Sequence, residues 1–242
     1  MRDEYIAAAE FYDVLALPIW RTLRTPLAQI LGEIQMCPGA VLVDLGAGSG
    51  LSTVELARAI PGLDVLAVEP SMAMRALLTS RLASDEDLMK RVTVHASTAQ
   101  EFTLPASVMA VTAMQMIGHL PPECRCDLFA RVASVLCPRG LFVVHLQDPQ
   151  EPTQIPLTKY VESRLGEHMY EGWAEARRAG GETMEWTMHY RVLAGKRLIR
   201  EAQASFRWWT MGSEQLIREG ESAGLVVRER ESNLFTLEKK SD

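Results

Sequence analysis

From Val41 to Gly50 the chain reads Val-Leu-Val-Asp-Leu-Gly-Ala-Gly-Ser-Gly, and Glu69 stands 19 residues past Gly50. Glycines at alternate positions let a backbone turn sharply and let a ligand approach where a β-carbon would block it. A helix that starts after such a loop presents free amides and the positive end of its dipole, which suits a phosphate or a carboxylate. Dinucleotide-binding loops, however, want glycine or alanine where Leu51 stands here. Asp44, just before the glycines, would repel a diphosphate but can accept hydrogen bonds from a cationic amino-acid end. Glu69, closing the next strand, can accept from both hydroxyls of a ribose in a charge-assisted pair. The ligand so described has a ribose and an amino-acid end and lacks a diphosphate.

Two histidines could take a proton. His119 follows Met114 by five residues, beyond the carboxyl end of a strand, where open α/β sheets bind ligands. Its other reading is a helix-entry residue ahead of Pro121-Pro122. His145, near the end of the fifth strand, is a second candidate base, or a residue that points into a helix layer. Cys124-Arg125-Cys126 has no second close pair and no histidine at ligand spacing, so no metal is expected.

Elements must hold these groups in place. Residues 1–36 read as a helical arm, with Pro18 and Pro26 marking breaks, and Tyr5 and Tyr12 within reach of a ligand's amino-acid end. Strand–helix alternation then occupies 39–147. Buried strands are expected at 40–45, 63–68, 91–95, 108–114 and 141–146, with helices at 51–60, 72–82 and 123–136. Ser71 is placed to cap the second helix. That order implies an α/β, Rossmann-like, doubly wound and mainly parallel seven-stranded sheet with right-handed crossovers. Residues 149–210 read as an insertion: a helix over 157–178, then a β-hairpin with strands beginning near Met184 and ending near Trp209. Its aromatics would line an acceptor pocket, form a homodimer contact, or do both. A closing helix and antiparallel strand pair fill 213–239, so 1–242 is read as a single domain.

The residues around the glycine loop resemble the class I S-adenosylmethionine-dependent methyltransferase superfamily, over roughly 39–147 with closing strands at 225–239. Asp44, Gly46, Ala47, Gly48 and Gly50 match its cofactor loop, and Glu69 with Pro70 its ribose-binding acid. Met72 matches a position whose side chain packs on the adenine. Where relatives carry an Asp-Ala pair, this chain has Thr98-Ala99. Met114 and Gln115 open the stretch that ends in His119-Leu120, where relatives often place a His-Leu pair beside the methyl group. With Tyr12 from the arm, these are the residues expected at the cofactor, S-adenosylmethionine, with S-adenosylhomocysteine as product. The resemblance implies methyl transfer to a small molecule by in-line displacement. An aromatic or heterocyclic secondary metabolite would suit the aromatic-rich insertion, with carbon, nitrogen or oxygen open as acceptor atom.

Charge and hydropathy narrow the class. The net charge of −6 and the absence of a basic stripe argue against a nucleic-acid partner. No apolar run approaches the roughly 20 residues that span a bilayer, and Met1 to Tyr5 lack a signal peptide's apolar core, so a cytoplasmic protein is expected. Three rivals remain: a same-fold enzyme that uses the sulfonium for cyclisation, an NAD(P)-dependent oxidoreductase, and a non-enzymatic binding protein.

Overall fold

The computed structural model describes Asp3 and residues 5–240; Met1, Arg2 and Glu4, read above as part of the arm, lie outside the described residues. A 24-residue helix, α1 (Ala9–Gly32), runs through Pro18 and Pro26 without ending at either. The expected breaks do not occur. Phe11, Leu15, Trp20, Leu23, Leu27, Ile30 and Leu31 recur on one face and are buried. Burial at roughly 1.5–3 kcal/mol per large apolar side chain outweighs the backbone bond each proline removes.

The alternating core follows as β1 (Val41–Leu45), α2 (Leu51–Ala59), β2 (Val65–Val68), α3 (Met72–Leu82), α4 (Glu86–Arg91), β3 (Val92–His95), β4 (Val108–Ala113), α5 (Pro122–Val135) and β5 (Leu136–His145). The Ser71 side chain caps α3 by accepting from the Met74 amide. The short α4, capped by Asp85, has no counterpart in the sequence reading. In β5 the ladder already pairs Leu136 with Val108, then slips before Ala110 meets Leu141. Pro138 and Gly140 sit in that bulge, between the helix expected to end at 136 and the strand expected to begin at 141.

Next come β6 (Ile155–Leu165), β7 (His168–Gly180), β8 (Thr183–Ala194), β9 (Arg197–Trp209), α6 (Ser213–Ser222), β10 (Leu225–Glu229) and β11 (Leu234–Lys239). The helix expected over 157–178 is instead the antiparallel pair β6–β7, turning at Gly166 with φ +60°. Ala174, Glu175, Ala176, Arg177 and Arg178 favour helix weakly, and pairing along the whole of β8 overrides that preference.

Seven strands form one sheet in the order β10-β11-β5-β4-β1-β2-β3. The links among β1 to β5 are parallel, and β11 and β10 are antiparallel. Leu42 and Val143 face one apolar layer with α1, α2 and α3, while Val43 and Val144 face another with α5 and α6. The remaining four strands form a second sheet, β6-β7-β8-β9, whose Tyr170, Tyr190 and Val192 pack on Ala8, Phe11 and Leu15 at the start of the chain. Strand order reverses between β1 and β4, so their carboxyl ends border the crevice where such sheets bind ligands. Among the described residues no helix is long and apolar enough to cross a membrane.

Candidate active site

The β1 end and the loop after it form a rigid support. Asp44 is fully buried. Its Oδ2 accepts from Ser52 (2.7 Å) and Thr53 (2.6 Å), and its Oδ1 from Thr112 of β4 (2.7 Å). Burial pushes its carboxyl up and the three hydroxyls oppose that shift. The Asp44 side chain thus pins β1, α2 and β4 together, buried behind the loop on which the ammonium contact was expected.

Glu69 does the same for the loop itself. Its Oε2 accepts from the Gly48 amide and its Oε1 from the Ser71 amide, each at 2.8 Å. Burial raises this carboxyl, against the two amides and the nearby Arg75. Arg81 donates from Nε to the Ser49 carbonyl at 2.9 Å and pairs with Asp13 of α1. The three glycines differ in what they face. A β-carbon at Gly46 would lie 2.7 Å from the Met116 side chain, and one at Gly50 would lie 2.4 Å from Leu78. At Gly48, with φ +55°, the nearest atom would be the Tyr12 hydroxyl at 3.6 Å. A β-carbon at Gly48 would thus enter the cavity beside the loop, whereas those at Gly46 and Gly50 would meet packed side chains, although the Gly46 backbone also lines the cavity.

That space is a small cavity of about 40 Å³ bounded by Tyr12, Trp20, Ala47, Gly48, Ser49, Met114 and Gln115. Gln115 holds φ 54° at the carboxyl end of β4, a strained conformation for a side-chain-bearing residue. The Ser49 hydroxyl is buried here with no hydrogen-bond partner. An orphaned donor at the start of α2, where the helix dipole is positive, suits the carboxylate of an amino-acid end, so these residues fit the cofactor that the sequence implies. Burial drives the Tyr12 hydroxyl well above its usual range, with Glu69 adding to the effect, so it stays protonated.

On the far side of Glu69, Met72 is 66% exposed beside Pro70, while Ala99 is buried. Thr98 is occupied in its own turn: its hydroxyl donates to Glu101 (3.0 Å) and accepts from the Glu101 amide (3.2 Å).

His119 ends a short 3-10 turn (Ile117–His119) after β4. Its Nε2 lies 2.8 Å from the Tyr5 hydroxyl, and its ring stands edge-on to Trp208 at 4.9 Å and near Phe206 at 5.6 Å. Burial depresses its pKa to about 4, so the imidazole is neutral at ordinary pH. Just before Tyr5, Asp3 accepts from the Ser71 hydroxyl (2.9 Å) and the Ala73 amide (3.2 Å). Burial raises the Asp3 carboxyl, but these bonds and others hold it below the usual carboxylate range. Asp3 and Tyr5 therefore reach across from the Glu69 end to His119.

His145 is placed otherwise. It is buried, with Nδ1 lacking a partner, and borders neither cavity. Alternation along β5 puts it on the Val143 face, toward α1. Its pKa is also depressed to about 4, by burial against the nearby Asp148 charge. The structure takes it away from the site.

A larger cavity, about 850 Å³, opens beside His119 along β7, β8 and β9. Ala176, Trp186 and Phe206 come from the sheet's apolar face, and Glu175, Arg177, Glu185, Thr187 and Arg207 from its polar face. Register places Arg177, Glu185 and Arg207 in one row, with Arg177 and Glu185 ion-paired. The sequence reading missed this charged row because it had no strand at β7. It also missed Ser49 and the Tyr5–His119 bond, for which the sequence carried no signal beyond residue type.

Residues 42–140 match the family model described as a methyltransferase domain. The chain is 28% identical over 129 residues to trans-aconitate 2-methyltransferase of Paracidovorax citrulli, 53% of this chain and 47% of that relative. The chain thus spans about half the length of that curated relative. In fold it is similar to Streptomyces venezuelae DesVI, with TM-score 0.76, 20% identity and coverage of 96% of this chain and 98% of the other. It is similar in the same way to CalS10, an amino pentose methyltransferase from Micromonospora echinaspora, with TM-score 0.71, 20% identity and coverage of 91% and 92%.

Proposed function

We propose, from the premise that this chain belongs to the class I S-adenosylmethionine-dependent methyltransferases, that it methylates a neutral amine N–H or a hydroxyl O–H on a small polar metabolite. The observation that carries this reading is the Tyr5 hydroxyl 2.8 Å from a neutral His119, between the glycine loop and the larger cavity. When bound, the cofactor supplies a methyl group on a sulfonium, already activated for in-line displacement. Gly48, Ser49, Glu69 and Met72 would hold it. The protein's task at the other end is alignment, exclusion of water and removal of one proton.

Tyr5 and His119 can carry that proton. As the acceptor's lone pair takes the methyl group, its proton passes to the Tyr5 oxygen while the Tyr5 proton passes to His119 Nε2. The products would be a methylated neutral acceptor, an imidazolium and S-adenosylhomocysteine, whose sulfur keeps the electron pair of the broken C–S bond. A carboxylate acceptor, as in the trans-aconitate relative, would need no base. An amine or hydroxyl does, and CalS10 is named for an amino pentose. The charged row of Arg177, Glu185 and Arg207 supports a polar acceptor over the aromatic or heterocyclic one expected from the sequence.

The test is product mass spectrometry with S-adenosylmethionine and three probe acceptors: an amino sugar nucleotide, a phenol and trans-aconitate. A product heavier by one methylene, from the amino sugar nucleotide or the phenol and dependent on His119, is expected. Methylation of trans-aconitate alone, undiminished in His119→Ala, would contradict the assignment.

A further inference from the structure

Among the described residues Arg125 is the largest fully buried side chain, and it carries a charge. It sits in the second turn of α5, six residues past His119. Its Nε and NH2 donate to the two Glu219 oxygens of α6 at 3.2 and 2.9 Å. NH2 also reaches Glu182 Oε2 at 3.2 Å, and NH1 reaches the Leu120 carbonyl at 3.5 Å. Gln215 of α6 donates to Glu182 at 2.9 Å and to Glu219 at 3.0 Å.

Glu182 belongs to neither helix. It stands in the turn between β7 and β8, and its carbonyl accepts from the Thr210 amide and hydroxyl at the end of β9. One guanidinium thus ties the β7–β8 turn of the four-stranded sheet to α5 and α6 of the core. A second tie lies close by: a β-carbon at Gly118 would fall 1.9 Å from the Trp208 ring, so that ring rests directly on backbone. Both ties converge on residues 118–120, which present His119, and on the strand ends that carry Arg177, Glu185 and Arg207. Removing one partner from a buried charge network leaves an uncompensated charge, so the contact holds its geometry or fails as a unit.

We propose that Arg125 is a positioning residue: through Glu182 it sets the acceptor-binding sheet in register with the His119 loop, so acceptor recognition depends on it and cofactor binding does not. This rests on the reading of the larger cavity as the acceptor site. Arg125 touches neither cavity and acts only through its partners.

The experiment compares wild type, Arg125→Met, Glu182→Ala and Glu182→Gln by amide hydrogen exchange and by calorimetric titration with S-adenosylhomocysteine. Glu182→Ala lies in an exposed turn and keeps the set informative where Arg125→Met fails to fold. In Arg125→Met and Glu182→Ala, exchange over residues 183–209 should rise at least tenfold. Exchange over 41–68 and the cofactor-product affinity should stay within about twofold. With the acceptor that wild type methylates best among the three probes, KM should rise about tenfold or more, and Glu182→Gln should recover much of the loss. Unchanged exchange over 183–209 in Glu182→Ala would overturn the proposal. So would an equal loss of S-adenosylhomocysteine affinity, which marks a general structural role. Failure of wild type to bind S-adenosylhomocysteine would instead sink the methyltransferase reading, leaving the exchange result to judge the docking role.

Discussion

Glu69 holds the amides of Gly48 and Ser71 on separate oxygens, so its replacement removes loop support and the proposed ribose contact together. Glu69→Ala should weaken S-adenosylhomocysteine binding by about 2–4 kcal/mol, read by calorimetry; an unchanged affinity would remove it from the site. For His119, the Tyr5 bond argues against the helix-entry reading. His119→Ala should lower turnover by about 10²–10⁴-fold with cofactor-product affinity nearly unchanged. With a pKa near 4, the acid limb of the wild-type pH–rate profile should fall well below the usual histidine range near 6.5, and vanish in the variant. His145 separates structure from chemistry. Its pKa is about 4 when folded and near 6.5 unfolded, so the unfolded chain binds more protons in between. Its contribution to stability is complete above pH ~6.5 and is lost as pH falls through ~4, up to about 3 kcal/mol. His145→Leu should remove about half of the histidine-linked slope in that part of the denaturation-versus-pH curve, the other half being due to His119, while turnover holds. A collapse in turnover with an unchanged curve would return it to the site.

At the level of elements, β1 to β5 were legible because strands buried on both faces read as short apolar runs bounded by glycine and proline. The insertion was legible only in its second half. Met184, Trp186, Met188, Tyr190 and Val192 alternate with polar residues and announce β8, whereas β7 mixes small apolar with charged residues that also suit a helix. Its buried set, Tyr170, Gly172, Ala174 and Ala176, has the same period of two but little hydrophobic contrast. The Gly118–Trp208 contact between the His119 turn and β9 is testable at this scale. Gly118→Ala should force Trp208 off its seat, costing about 1–3 kcal/mol in denaturant unfolding and raising KM for the acceptor. A variant with wild-type stability and KM would show that the sheet need not rest on this turn.

Across the molecule, the two sheets and the start of the chain meet around one path. The glycine loop lies at the reversal of strand order between β1 and β4. Asp3 and Tyr5 bridge from α3 to His119, and the second sheet walls the larger cavity beyond. The glycine loop and Glu69, at the proposed cofactor end of this path, stand out in the sequence, where the hydrogen bonds that make Asp44 a support and engage Thr98 in its own turn do not. The acceptor end was not, because its charged row exists only once β7, β8 and β9 are paired. The account stands on the cofactor occupying the space that Gly48 leaves open. Calorimetric titration of wild type and Gly48→Val with S-adenosylhomocysteine tests it most directly, with circular dichroism to confirm that both are folded. One binding site per chain in wild type and none detectable in the folded variant is the predicted result. Equal affinity in the two proteins would contradict it.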